Sequence, residues 1–274
     1  MMNSLKKLAV EMLPRRALPY LMRRFAAVRF EGDYRSWREA QLASGGYDGD
    51  AILHQVRDAL LKVKKGEAAY ERDSVLFDRI QYSWPLLAGL LWIASRGNNR
   101  LQLVDFGGSL GSSYFQNRQF LSHLEELRWS VIEQGNFVEC GQQLFQDRQL
   151  RFYRSLDDCL AAGPADAILL SSVLPYLEEP YRLLGECLER GFQYLIVDRT
   201  PFLTKGEDDL LTVQTVSAAI YPASYPAWFF NRDKFLEFLA PRYQLIEEFD
   251  SFESFQVGGA RSQSKGFIFL RRES

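Results

Sequence analysis

A glycine-rich turn between two predicted elements is the segment of this sequence best suited to chemistry. It contains Gly107, Gly108, Ser109 and Gly111, and it follows an apolar run that ends near Asp105. Glycines in such a place let the backbone turn sharply and approach a ligand, and the free N–H groups that begin the next helix favour negative or electron-rich groups. The turn is therefore a candidate ligand-binding site.

One interpretation takes the turn as G-x-S-x-G, the motif that presents the nucleophilic serine of α/β-hydrolases. Ser109 would be the nucleophile, and the histidine base of that fold follows the serine and the acid in the chain. The sequence has two histidines, His54 and His123, and none lies beyond 123. A hydrolase is therefore disfavoured.

A second interpretation is a nicotinamide dinucleotide site, which requires G-x-G-x-x-G and an acid at the end of the second strand. Glu133 supplies the acid, but Ser109 replaces the second glycine and Gly111 follows it by two positions instead of three. A pyrophosphate would meet a side chain in this turn. An NAD-binding oxidoreductase is thus the third and least favoured function.

The elements that position the turn are predicted from the alternation of short apolar runs with helical segments after residue 99. Strands and helices in strict alternation predict parallel strands joined by right-handed crossovers, a doubly wound α/β sheet. Ligands bind such sheets outside the carboxyl ends of the strands, where the turn and Glu133 lie. The predicted strands are 101–106, 129–133, 150–153, 166–171 and 194–198, and the helices between them are 112–121, 137–144, 156–162 and 180–188.

The flanking regions have different patterns. Residues 1–98 are predicted to form a helical region, because apolar residues recur there three and four positions apart. Residues 199–230 form a long connection rich in proline and aromatic residues, which we expect to be an ordered lid or pocket wall. A helix at 233–239 and strands at 243–249 and 266–270 complete a second domain, 99–274.

Composition excludes several classes of protein. The chain has 274 residues, of which 47% are hydrophobic and 25% charged, as in ordinary globular proteins. Cys140, Cys159 and Cys187 form no C-x-x-C pair, which argues against a disulfide framework and a zinc site and favours a cytoplasmic location. No His/Asp/Glu cluster has the spacing of metal ligands. A net charge of −2 offers no global positive field for nucleic acid.

The start of the chain is basic. Residues 1–30 hold seven Lys and Arg against one Glu, a net charge of +6, and no window approaches the about 20 apolar residues of a membrane span. Residues 5–29 could contact the inner face of an anionic membrane peripherally. A packing arm, or a contact in a homo-oligomer, is the alternative.

The turn and its neighbouring acids together resemble the class I S-adenosylmethionine-dependent methyltransferases. Asp105 precedes the turn, small residues stand at the alternate positions Gly107, Ser109 and Gly111, and Glu133 ends the next strand. The resemblance covers residues 101–270. It implies a Rossmann-like, doubly wound sheet of seven strands, including a final antiparallel pair, with the helical N-terminal region as an addition.

Four runs of sequence look like a narrower family of uncharacterised methyltransferases associated with bacterial surface-polysaccharide synthesis. That resemblance supplies no substrate. The runs are 105–115, 129–134, 198–202 and 220–226.

The resemblance implies S-adenosylmethionine as cofactor and a role for several residues. Residues 107–111 would shape the methionine end of the pocket, Asp105 would organise the turn and contact the ammonium group, and Glu133 would bind the ribose diol. Leu156 and Asp157 would flank the adenine. The alternative is that Leu156 and Asp157 only form the start of a helix that Ser155 caps.

The acceptor side of the site is less defined by sequence. Ser171 should face the cofactor or the acceptor, or it belongs to an ordinary turn. Asp198 is the candidate base, with Arg199 beside it for an acceptor hydroxyl or anion; an ion pair between the two is the alternative. The candidate acceptor-lining residues are Tyr82, Tyr221 and Tyr225.

The resemblance implies methyl transfer from S-adenosylmethionine, and we expect the acceptor to be an oxygen of a sugar or glycan precursor. The alternative is a non-catalytic module that keeps the cofactor pocket of a methyltransferase fold.

Overall fold

The computed structural model describes residues 28–46, 49–72, 74–206, 208–216, 223–257 and 260–273. The described residues fall into two compact units: one takes residues 28–46, 211–216 and 223–227, and the other takes those between 49 and 210 and between 228 and 273. The described residues between 49 and 98 belong to the same unit as the main sheet. Of the basic start, with its proposed membrane contact, all but residues 28–30 lie outside the described residues.

The described residues of the smaller unit form a three-stranded sheet and one helix. Strand β1 (Val28–Glu31) pairs antiparallel with β9 (Leu210–Val216), which neighbours β10 (Ala223–Phe229). Helix α1 (Trp37–Ala43) begins at Ser36, whose side chain accepts a hydrogen bond from the Glu39 N–H. Much of the predicted lid, 199–230, is therefore strand.

The larger unit is built on a seven-stranded sheet in the order β11-β12-β8-β7-β4-β5-β6. Strands β4 to β8 are parallel, and β12 runs antiparallel between β8 and β11. This confirms the predicted Rossmann-like, doubly wound sheet with a final antiparallel pair. The strands are β4 (Arg100–Phe106), β5 (Glu126–Ile132), β6 (Leu150–Tyr153), β7 (Ala167–Ser171), β8 (Tyr194–Leu203), β11 (Tyr243–Val257) and β12 (Ala260–Arg271).

Helices cover the sheet, and a short hairpin precedes it. The hairpin joins β2 (Tyr70–Arg72) to β3 (Val75–Phe77). The helices are α2 (Gly49–Lys64), α3 (Trp84–Arg96), α4 (Ser112–Leu121), α5 (Gly135–Leu144), α6 (Leu156–Ala161), α7 (Pro180–Arg190) and α8 (Arg232–Leu239). Among the described residues, no helix is long and apolar enough to cross a membrane.

The core of the larger unit explains why the parallel strands appear in the sequence as continuous apolar runs. Strand β7 is buried along Ala167–Leu170, because helices cover both faces of a parallel sheet. One core cluster joins β7 and β8 to α7, α8 and β12 through residues such as Leu170, Val197, Phe235 and Phe267. The carboxyl ends of β4, β5 and β7 lie at one edge of the sheet, and Asp198 within β8 lies beside Ser171 at that edge.

Candidate functional site

The glycine turn begins where β4 ends beside β5. Phe106 is in register with Ile132, and the Gly107 N–H donates to the Ile132 carbonyl at 2.9 Å. Gly107 has φ +71°, and a Cβ there would lie 2.4 Å from Cγ2 of Val173. The position therefore requires glycine both for its left-handed backbone and for the close approach of Val173.

Ser109 is left-handed as well, with φ +56°, a conformation that non-glycine residues seldom adopt. Its N–H donates to Oε1 of Glu133 at 3.1 Å. A strained backbone conformation persists only where the surrounding structure stabilises it. The hydrogen bond to Glu133 is one of the contacts that stabilise the conformation of Ser109.

Glu133 stands at the carboxyl end of β5 and faces the turn. Its second oxygen, Oε2, accepts from the Gln134 N–H at 2.9 Å. Burial raises the pKa of this carboxyl, and its two backbone N–H bonds oppose that rise. A carboxylate has about four acceptor positions, so roughly two remain for further donors such as a pair of hydroxyls.

Asp105 lies directly beneath the turn and is 1% exposed. The Trp129 indole N–H donates to its Oδ2 at 2.9 Å, whereas Oδ1 is buried without a hydrogen-bond partner among the described residues. A Cβ on Gly108 would lie 2.5 Å from the Asp105 Cγ, so the carboxyl packs against that glycine. Burial, with a smaller contribution from the charge of Glu133, raises the pKa of Asp105 to about 7 against the Trp129 hydrogen bond. Asp105 is thus placed to organise the turn, and its contact with a ligand ammonium stays a prediction.

Helix α6 starts with a side-chain cap, which is one of the two structures that its sequence predicted. The Ser155 hydroxyl accepts from the Asp158 N–H at 3.1 Å, and Leu156 is buried in the core. Asp157 has 75% of its side chain exposed and pairs with Arg190 at 2.5 Å. The adenine contacts inferred for Leu156 and Asp157 stay predictions.

Asp198 and Ser171 lie side by side where β8 and β7 reach the same edge of the sheet. Asp198 is 2% exposed, and the Ser251 hydroxyl donates to its Oδ1 at 3.2 Å. Burial raises the pKa of Asp198, while the Arg199 charge and the Ser251 hydrogen bond oppose the rise. The Arg199 guanidinium donates to Glu253 at 3.2 Å.

The structure adds Ser251 and Glu253 to the surroundings of Asp198 and Arg199. They lie on β11, more than 50 residues after Asp198 and Arg199, where the pairing of β11 with β12 is irregular between Asp250 and Ser254. No local pattern marks them.

The three tyrosines proposed for the acceptor have different locations. Tyr82 packs on Trp84 and Phe120, with ring centroids 4.8 and 5.2 Å away. Phe120 is about 13 Å along α4 from Gly111, at 1.5 Å per residue. The structure therefore does not bring Tyr82 to the glycine turn.

Tyr225 belongs to the smaller unit, where its hydroxyl accepts from Gln214 at 3.0 Å. Tyr221 lies outside the described residues. The acceptor roles of both tyrosines stay predictions. His54 and His123 are exposed on the surface.

Two cavities occur away from the glycine turn. One, of about 370 Å³, lies at the amino ends of the strands and includes Arg96, Arg100 and Asp166 in its lining. The other, of about 470 Å³, lies on the β11–β12 hairpin and includes Arg261 and Gln263. In the part of the chain that the structure describes, no group of three or more His, Cys, Asp or Glu could hold a metal ion.

Comparisons with known proteins give distant structural matches. No family model and no curated protein matches the chain. The N-terminal domain of EvdMO1 with SAH bound is 10% identical, with 83% of this chain and 98% of that chain covered and a TM-score of 0.47. A magnesium protoporphyrin IX methyltransferase, ChlM from Synechocystis PCC 6803, with SAH bound, is 15% identical, with coverages of 69% and 83% and a TM-score of 0.43. CalS10, an amino pentose methyltransferase from Micromonospora echinaspora with SAM bound, is 12% identical, with coverages of 70% and 92% and a TM-score of 0.42. At these levels the matches assign no activity, which must be inferred from the side chains of this chain.

Proposed function

We propose that this protein is an S-adenosylmethionine-dependent methyltransferase that methylates an oxygen of a sugar or glycan precursor. The observation that carries the proposal is the Glu133 carboxylate, which directly follows β5 and accepts a 3.1 Å hydrogen bond from the N–H of the left-handed Ser109 in the glycine turn. A carboxylate in this place is suited to accept from both hydroxyls of a ribose while the turn binds the rest of the ligand.

The charge around the turn favours a cationic cofactor over a dinucleotide. The carboxyls of Asp105 and Glu133 both lie against the turn, and the hydrogen bonds that they accept come from Trp129, Ser109 and Gln134 rather than from a Lys or Arg among the described residues. Sulfonium and ammonium groups favour the ionised form of these two acids and complement it, whereas the negative charge of a pyrophosphate would oppose their ionisation. The unpaired Oδ1 of Asp105 is one remaining acceptor.

The cofactor, when bound, supplies a methyl group activated by positive sulfur. This chain's residues then have two tasks, to position the acceptor oxygen and to take its proton. Glu133 would hold the ribose, and Asp198 would accept the proton from the acceptor hydroxyl. Burial raises the pKa of Asp198, which makes its carboxylate a stronger base than an exposed aspartate, and Ser251 orients it.

A non-catalytic cofactor-binding module is the second candidate. The observation that favours it is the burial of Asp198, which is 2% exposed and already accepts a hydrogen bond from Ser251. A base must reach the proton that it removes. The two candidates bind the same cofactor and differ only in turnover.

The experiment that separates them is transfer of a labelled methyl group from S-adenosylmethionine into sugar nucleotides and lipid-linked glycan precursors. We expect incorporation by the wild type, and loss of incorporation in Asp198→Asn with unchanged binding of S-adenosylhomocysteine. Binding without turnover across all acceptor classes supports the module. Absence of cofactor binding overturns the proposal.

A further inference from the structure

The β2–β3 hairpin places a buried carboxylate at the start of the helix that follows the glycine turn. Glu71, on β2, is 1% exposed. Its Oε2 accepts from the Ser112 hydroxyl at 2.6 Å, and its Oε1 accepts from the Ser74 N–H in the hairpin turn at 2.7 Å. The side chain thus joins the hairpin directly to the first residue of α4.

Helix α4 has no cap of its own. Its N-cap residue is Gly111, which has no side chain to accept from the first N–H groups, and its first turn contains no acidic residue. Gly111 has φ +94°, and a Cβ there would lie 3.1 Å from Leu150, so a Ser or Asp cap would be strained at this position. Glu71 instead ties the first residue of the helix to another element, by accepting the hydrogen bond from the Ser112 hydroxyl.

A second contact joins the same segment to α4. The Gln116 side-chain amide donates to the Gln81 carbonyl at 2.5 Å, and the Arg72 guanidinium donates to the Gln81 side chain at 3.0 Å. Gln116 and Ser112 are four residues apart and therefore share one face of the helix. These two contacts hold α4 at its first residue and one turn further on. The segment that begins with the hairpin therefore fixes where the helix starts and how it is rotated about its own axis.

We infer that Glu71 is a positioning residue for the cofactor-binding turn. By fixing Ser112 it fixes Gly111, and through Gly111 it keeps the Ser109 N–H directed at Glu133. The inference rests on the proposed function, since the turn is taken as the cofactor site. Glu71 acts through Ser112 and does not itself contact the cofactor.

Two variants and one matched control test this role. Glu71→Gln weakens acceptance from Ser112 and Ser74, and Ser112→Ala removes one of the two donors. The control is Tyr243→Phe, which removes a buried hydrogen bond to the Phe192 carbonyl, 2.7 Å long, elsewhere in the same unit. All three variants should lose thermal stability.

The first measurement is hydrogen exchange of the Gly107, Ser109 and Gly111 amides in the ligand-free protein. All three amides are hydrogen-bonded within the site. Exchange should be about tenfold faster in Glu71→Gln and Ser112→Ala, the effect of one lost hydrogen bond, and unchanged in Tyr243→Phe. Unchanged exchange rates in both Glu71→Gln and Ser112→Ala overturn the inference. If Glu71→Gln does not fold, the result for Ser112→Ala decides alone.

The second measurement is the Kd of S-adenosylhomocysteine by calorimetry. It should rise about five- to tenfold in the two variants and stay within about twofold in the control. The double variant should be no weaker than the weaker single variant, because both remove one contact. A wild type that binds no S-adenosylhomocysteine defeats the proposed function, whereas the exchange measurement still decides the role of Glu71.

Discussion

Replacing Asp105 by Asn tests how the carboxyl beneath the glycine turn is ionised. Asp105 is 1% exposed, and burial raises its pKa to about 7, whereas an unfolded aspartate has a pKa of about 3.9. Between these two values the native state binds a proton that the unfolded state has lost. The free energy of unfolding therefore falls as the pH rises from about 4 to about 7, by about 4 kcal/mol from this group alone at 1.36 kcal/mol per pKa unit.

The Asn variant keeps an acceptor for the Trp129 indole and removes the titration. Urea unfolding of both proteins at about pH 5.5 and about pH 8 isolates the effect, because all other groups titrate in both. We expect the wild type to lose about 2 kcal/mol more than Asp105→Asn over this interval. The matched control is Tyr243→Phe, which removes a buried hydrogen bond to the Phe192 carbonyl without removing a carboxyl, so it should lower the free energy of unfolding by the same amount at both pH values.

Equal pH dependence of the wild type and Asp105→Asn would refute the reasoning. It would mean that Asp105 is already ionised in the native state at the lower pH, so that burial does not dominate its environment. A steeper loss in the Asn variant would contradict the sign as well.

Three further predictions concern the turn and the start of the chain. Glu133→Ala should weaken S-adenosylhomocysteine binding by about 1–3 kcal/mol in calorimetry, since it removes a ligand acceptor and the Ser109 bond; unchanged affinity would move the site elsewhere. Gly107→Ala should lower the free energy of unfolding by about 2–3 kcal/mol in urea titrations, because its Cβ would clash with Val173 at a left-handed φ. Adding Val173→Ala should recover only part of that loss, since the backbone strain remains, and full recovery would count against the strain. Liposome flotation should retain full-length protein on anionic vesicles and release a variant lacking residues 1–27, a truncation that leaves β1 and its pairing with β9 intact; equal flotation of the two removes the membrane proposal.

The central α/β alternation was predictable because its signals are local. Helix α4 has the predicted bounds, Ser112–Leu121, since Gly111 fixes its start and the apolar run before it fixes β4. Glu133 could be placed at the turn because parallel strands end at one edge of a sheet.

The features that the sequence did not predict depend on pairings between distant residues or on very short elements. Strand β1 pairs with β9, with Val28 opposite Val216, and no local pattern connects residues so far apart. Strands β2 and β3 have three residues each, too few for a periodicity, so Glu71 could not be placed. At the start of α6, one short motif fitted both a cap and an adenine site, and only the geometry shows the cap.

The most direct test of the central claim is a crystal structure of the protein with S-adenosylhomocysteine at saturating concentration. The account predicts the ligand against residues 107–111, with both ribose hydroxyls donating to the Glu133 carboxylate. A ligand bound elsewhere, or a turn filled by protein side chains with Glu133 free of ligand, would contradict it.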